Sequence, residues 1–172
     1  GAARASVGRF DDALVAYKRA IKIDPTMAIV YTNVGDIQAY GFGRPAIAIP
    51  WYEAAVDRDP GDPTHPAYLA YTNQELGRDT EAERWTAQTL GMGAGNAWSN
   101  FVLALHYLAR GEEKTARHHA EKAAALDPQY LFLMRDFDLR KGDYSAARAR
   151  YATSFPHLLT RELQTLNDRD AL

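Results

Sequence analysis

Five histidines, His65, His106, His118, His119 and His157, are the side chains of this sequence best suited to acid–base work or metal ligation. On a helix the adjacent His118 and His119 would point about 100° apart, so they cannot clasp one ion as a pair spaced four apart would. No His-Glu-x-x-His run occurs, and neither ligand spacing nor an acidic partner favours one of the five. Structural or surface histidines are the reading, with no metal site. The sequence has no cysteine, which removes disulfides, thiolate metal ligands and cysteine nucleophiles.

Carboxylate pairs for acid–base catalysis are available on paper at Asp11/Asp12, Asp57/Asp59, Glu112/Glu113 and Asp136/Asp138. Most fall at helix starts or ends, where capping and the helix dipole explain them. Arg135-Asp136-Phe137-Asp138 is the least typical stretch, since it puts three charges on a helix expected to be half buried. A local salt bridge is one account of it, and an anion- or peptide-contacting cluster is the other. Gly91-Met92-Gly93-Ala94-Gly95 resembles a phosphate loop in composition only, because such a loop follows a strand and this segment joins two helices. No Gly-x4-Gly-Lys-Ser/Thr run appears. No convergent polar site can be assembled, so neither an enzyme nor a cofactor is expected.

The elements that would position these residues repeat along the chain. Gly8, Gly43, Gly77, Gly111 and Gly142 each stand five residues before an alanine, Ala13, Ala48, Ala82, Ala116 and Ala147, and lie 35, 34, 34 and 31 residues apart. Asp24-Pro25, Asp59-Pro60 and Asp127-Pro128 each place the proline seventeen residues after its glycine. A glycine can stop a helix in a left-handed cap. The small alanines let two helices approach, and Tyr17, Tyr52 and Tyr151 fall one turn later on the same face. Asp-Pro then ends the helix, because the residue before proline is pushed out of the α region. The product is a chain of antiparallel helix pairs.

The pattern Ala-x3-aromatic…Pro, present as Ala13…Tyr17…Pro25 and Ala48…Tyr52…Pro60, resembles the second half of the tetratricopeptide (TPR) repeat. Tyr31-x2-Val34-Gly35 and Leu103-Ala104-x2-Tyr107 answer the first half loosely. The resemblance implies an all-α fold, a right-handed superhelical solenoid of about five TPR-like hairpins, the first truncated, closed by a capping helix. A single domain over residues 1–172 is expected, with repeats near 1–25, 26–60, 61–95, 96–128 and 129–155 and the cap at 156–167. Expected helices are a remnant at 1–7 with 11–23, then 27–40 with 46–58, 66–76 with 80–90, 96–109 with 113–126, and 130–140 with 144–154. The third and fourth repeats depart from the pattern, carrying Thr86 and Thr89, and Ala120, at its aromatic and small positions. The fifth has Arg135 at a small-residue position.

The same resemblance implies a non-catalytic scaffold that holds a protein or peptide segment in a concave groove lined by the first helix of each pair. The groove candidates are Thr32, Asp36, Tyr71, Glu75, Trp98, Phe101, Leu105, Phe132 and Asp136. A clamp for an acidic carboxy-terminal tail would need Lys, Arg and Asn at such positions, so it is rejected. An apolar or basic segment held by Tyr71, Trp98 and Phe101 is the expectation.

Bulk composition is that of an ordinary globular chain. The 172 residues, 47% hydrophobic and 24% charged, suffice for a globular core. A formal net charge of −2 gives no field toward nucleic acid or anionic lipid, and neither partner is expected. Nine acidic against three basic side chains lie between Asp36 and Glu83, and ten basic against seven acidic between Arg110 and Arg161. Solvated helix faces account for both. No apolar run approaches the roughly 20 residues of a bilayer span, and no signal-peptide stretch follows Gly1, so a cytoplasmic location is expected. The chain reads as opening in mid-repeat, which would leave Leu14, Tyr17 and Ile21 short of a partner and able to seed self-association. The Gly-Arg-x3-Ala wording, the Asp-Pro exits and the ending Ser154-Phe155-Pro156-His157-Leu158-Leu159 are also similar to repeat regions that follow bacterial class III adenylate cyclase or winged-helix regulator domains. That likeness implies an alternative, a sensing or assembly arm of a larger bacterial signalling protein.

Overall fold

Helix ends follow the chemistry of the repeat. The computed structural model describes residues 2–140, with side chains from Arg9 to Met134 and at Phe137 and Asp138. The helices expected at 144–154 and 156–167, with Gly142, Ala147 and Tyr151, lie outside the described residues. Among the described residues are eight α-helices and no strand: α1 Ala2–Ile23, α2 Ala28–Asp36, α3 Pro45–Arg58, α4 Thr64–Glu75, α5 Asp79–Gly91, α6 Ala97–Ala109, α7 Glu113–Leu126 and α8 Leu131–Arg140. They pack pairwise as TPR-like repeats. Gly43, Gly77 and Gly111 have φ of 66°, 67° and 76°, the left-handed region where glycine alone is unstrained, and each precedes a new helix by two residues. Each Asp-Pro pair follows a helix end, and its carboxylate then bonds the next turn. Asp24 Oδ1 accepts the Thr26 amide at 2.9 Å, Asp59 Oδ1 the Gly61 amide at 3.2 Å, and Asp127 Oδ1 the Gln129 amide at 3.0 Å.

Two expectations about the first repeat need correction. Helix α1 runs without a break through Gly8 and Asp11, so residues 1–7 and 11–23 are not separate helices. A glycine inside a helix costs only about 1 kcal/mol relative to alanine, and no proline follows Gly8 to force the break. The expected bare stripe is also partly covered. Leu14 is buried, Tyr17 and Ile21 are half buried, and Ile21 packs on Ala28, Tyr31 and Ala55.

The helix expected at 27–40 has two parts, because a π-helical turn, Ile37–Gly41, continues α2. From Pro25 to Gly43 the chain spans eighteen residues, against seventeen from Pro60 to Gly77. A π turn absorbs one extra residue within a helix, which accounts for the 35-residue spacing between Gly8 and Gly43. Phe10 of α1 packs at Gly41, 3.1 Å from where a Cβ would sit, and meets the Phe42 ring edge-on at 6.0 Å.

The chain divides into two compact units at Ala94 and Gly95. In the first, α2 packs on α3, α3 on α4 and α4 on α5. Ala48, Tyr52 and Ala55 of α3 are wholly buried, and Tyr52 lies so close to Gly35 that an added Cβ would stand 2.4 Å from its ring. Arg58 lies 3.8 Å over the Tyr31 ring while its Nε donates to the Pro25 carbonyl at 2.7 Å, pinning the α1 exit to the end of α3. In α5, Thr89 donates to the Trp85 carbonyl at 2.9 Å. In the second unit α6 packs on α7 and α7 on α8, around Ala104, Ala116, Ala120, Leu133, Met134 and Phe137. No helix among the described residues is long and apolar enough to cross a membrane.

Candidate functional site

In the first unit the helical spacing of α2 and its π turn puts Asp36 and Tyr40 one turn apart, and α4 brings Tyr68 and Tyr71 alongside. Asp36 is partly buried and accepts two phenols. Tyr52 donates to Oδ1 at 2.8 Å and Tyr68 to Oδ2 at 3.2 Å, with the two rings stacked at 4.9 Å. Burial raises the Asp36 pKa above the ordinary carboxylate value, although both phenol hydrogen bonds pull it down. Among the described residues no basic side chain pairs with it within 4.0 Å. Burial and the Asp36 charge push the Tyr52 hydroxyl strongly up, so it stays a donor.

Beside this carboxylate, Tyr40 and Tyr71 lie with ring centroids 6.4 Å apart, and Tyr40 is 49% exposed. Burial raises the Tyr71 pKa, and Glu75 raises it further by its charge and a hydrogen bond to the phenol. Glu75 itself is exposed. Asp36, Tyr71 and Glu75, three of the expected groove residues, therefore gather in one acidic, phenol-rich cluster. Sequence reasoning missed Tyr40, Tyr52 and Tyr68; the available signals were the four-residue step from Asp36 to Tyr40 and the 32-residue step from Asp36 to Tyr68.

Thr32, expected to be exposed, is 2% exposed and corrects that expectation. Its hydroxyl lies 3.0 Å from Nδ1 of His65, itself 2% exposed. It turns inward, onto His65 of α4. Sequence reasoning gave His65 no acidic partner, yet Asp62 Oδ2 lies 3.8 Å from its Nε2 and Asp59 is close by.

In the second unit Trp98, Phe101 and Phe132 form an aromatic run with Tyr130. Phe101 lies 5.3 Å from Trp98, 5.2 Å from Tyr130 and 6.0 Å from Phe132. All are half buried, and Phe101, Leu105 and Phe132 pack against the core between α6 and α8. The Asp136 side chain lies outside the described residues. Asp138 is buried and lies 3.6 Å from Arg117 of α7, which also covers the Phe137 ring at 5.0 Å. His119 is buried with Nδ1 3.0 Å from Asn100 Oδ1 and its ring stacked on Tyr107 at 5.7 Å. Burial, with His118 and Lys122 adding, lowers its pKa to about 4.

Comparison with known proteins agrees with the pairwise packing. The TPR repeat family matches residues 1–39. No curated protein matches the chain. Among solved structures, TTC0263, a thermophilic TPR protein of Thermus thermophilus, is similar with a TM-score of 0.73 at 20% identity, over 96% of this chain and 92% of that one. PilW, a widely conserved type IV pilus biogenesis factor, gives 0.63 at 23% identity, over 91% and 74%. The Cut9–Hcn1 hetero-tetramer of the APC/C gives 0.68 at 16% identity, over 86% of this chain and 29% of that one. At these identities the likeness shows the fold alone.

Proposed function

We propose that this chain, a TPR repeat protein, is a non-catalytic scaffold that holds a basic segment of a protein partner against the Asp36 cluster of its first unit. TPR scaffolds typically serve protein–protein interaction, and the fold carries that coarser statement. One observation supports the finer one. Asp36 is a half-buried carboxylate held by two phenols, with no basic side chain within 4.0 Å among the described residues. Such a group is costly to leave uncompensated, and an arriving Lys or Arg side chain offsets that cost while its stem lies along the Tyr40 and Tyr71 rings. Phenols that stay protonated and carboxylates that accept are suited to holding a cationic side chain.

Fluorescence anisotropy with labelled ten-residue peptides tests this. Peptides alternating Arg or Lys with aliphatic residues are compared with charge-reversed Glu versions. The basic series binds, more weakly as salt rises, and Asp36→Asn, which keeps the size of the side chain, weakens it about tenfold, as loss of a charge-assisted contact would. Equal binding of both series, or an Asp36→Asn variant that binds as tightly as the parent, overturns the proposal.

A further inference from the structure

We propose that Asp59, Asp62 and His65 form a binding site for one divalent transition-metal ion of the zinc class, at the connection between α3 and α4. The three residues each present one ligand atom, and these atoms lie within 4.8 Å of one another. His65 opens α4 as its second residue, and the two aspartates stand three and six positions before it. The site is separate from the Asp36 cluster.

The imidazole carries the argument. His65 is 2% exposed, so its ring is held in place. Nδ1 lies 3.0 Å from the Thr32 hydroxyl, which fixes the ring from behind as the outer partners of metal-ligating histidines do. When Nδ1–H donates to Thr32, Nε2 carries a bare lone pair. Among the described residues that nitrogen makes no hydrogen bond; Asp62 Oδ2 lies 3.8 Å from it, beyond hydrogen-bond reach. In that tautomer a cation seated between the lone pair and the two carboxylates is stabilised by all three.

The carboxylates are half committed in a way that frees the other half. Asp62 Oδ1 takes the Thr64 amide at 2.8 Å, leaving Oδ2 toward His65. Asp59 Oδ1 takes the Gly61 amide. Metal–ligand bonds of about 2.0–2.2 Å require the three ligand atoms to close further. Asp59 is exposed and the Asp62 side chain is 39% exposed, so both can rotate in while His65 stays fixed. The α4 N-terminus, equivalent to about half a positive charge, opposes a cation, but two full carboxylate charges outweigh it. One nitrogen and two oxygens suit zinc or a close neighbour, whereas calcium takes six to eight oxygens. Three protein ligands leave the remaining position to water.

Calorimetric titration of the full chain with Zn2+, repeated with Co2+ while following its visible absorption, tests the site, with the histidine ring nitrogens read by NMR. The expected result is one saturable equivalent with the His65 Nε2 resonance moved. Asp59→Asn, an exposed change that should leave helicity by circular dichroism intact, weakens uptake about tenfold or more, and Asp59→Asn with Asp62→Asn abolishes it. Absence of saturable uptake, unchanged affinity in Asp59→Asn, or uptake lost instead in His118→Gln overturns the proposal.

Discussion

Burial sets the protonation of His119, and protonation couples it to stability. The ring is 8% exposed, and desolvation is the largest of the causes that lower its pKa to about 4. In the unfolded chain a histidine titrates near 6.5, so on acidification the unfolded state takes up the proton first. The stabilising effect of a neutral His119 is complete above about pH 6.5 and is lost as pH falls toward about 4. The urea midpoint should therefore decline through that window, and His119→Gln should flatten part of the decline. His65 is lowered in the same direction and adds to the decline, whereas the raised Asp36 acts with opposite sign, favouring the fold as it protonates. A midpoint independent of pH from 6.5 to 4, or an unchanged slope in His119→Gln, would contradict this. None of these environments was legible locally. The partners of Asp36 lie sixteen and thirty-two residues away, and Thr32 meets His65 only once α2 and α4 pack. The Asp-x2-Asp-x2-His step was in plain sight but is not a recognised ligand spacing.

Helix boundaries were far more legible than side-chain environments, because glycine caps and Asp-Pro exits are local chemistry. The expected helices from 46–58 to 130–140 match α3 to α8 to within two residues at each end. Gly8 misled for the same reason: a glycine permits a cap without requiring one, and the rest of α1 decides. The π turn was also written in the spacing, as the one-residue excess before Gly43, but its position within the segment was not. Close approach between α2 and α3 gives the test at this scale. Gly35→Ala adds a Cβ 2.4 Å from Tyr52 Cε1, and the ring cannot swing away easily because it is wholly buried and its hydroxyl is bonded to Asp36. Alanine gains about 1 kcal/mol of helix propensity, but overpacking of this kind costs up to about 3 kcal/mol. The expected net loss is about 1–2 kcal/mol in urea denaturation. Equal or higher stability in Gly35→Ala would show that α2 and α3 separate freely.

For the whole molecule, the sequence suggested one repeating domain in which Gly91-Met92-Gly93-Ala94-Gly95 joins two helices, and the boundary between the compact units falls within that segment. Gly93 has φ 87° and Ala94 φ 43°. A left-handed conformation costs a non-glycine residue about 1–2 kcal/mol, so the backbone here is bent against its preference. In stacked-repeat proteins stability is a sum of repeat terms and neighbour terms, and a strained junction is where cooperativity breaks first. The tryptophans report on the two sides separately: Trp51 and Trp85 lie in the first unit and Trp98 in the second. Trp98→Phe leaves a fluorescence signal from the first unit alone, and Trp51→Phe with Trp85→Phe leaves one from the second alone. The two variants should unfold in urea at different midpoints, each with a shallower denaturant dependence than expected for all 172 residues exposed at once. Coincident curves carrying the full dependence would instead mean that Gly1–Ala94 and Gly95–Leu172 melt as a single body, and that the bend at Ala94 is absorbed without loosening the chain.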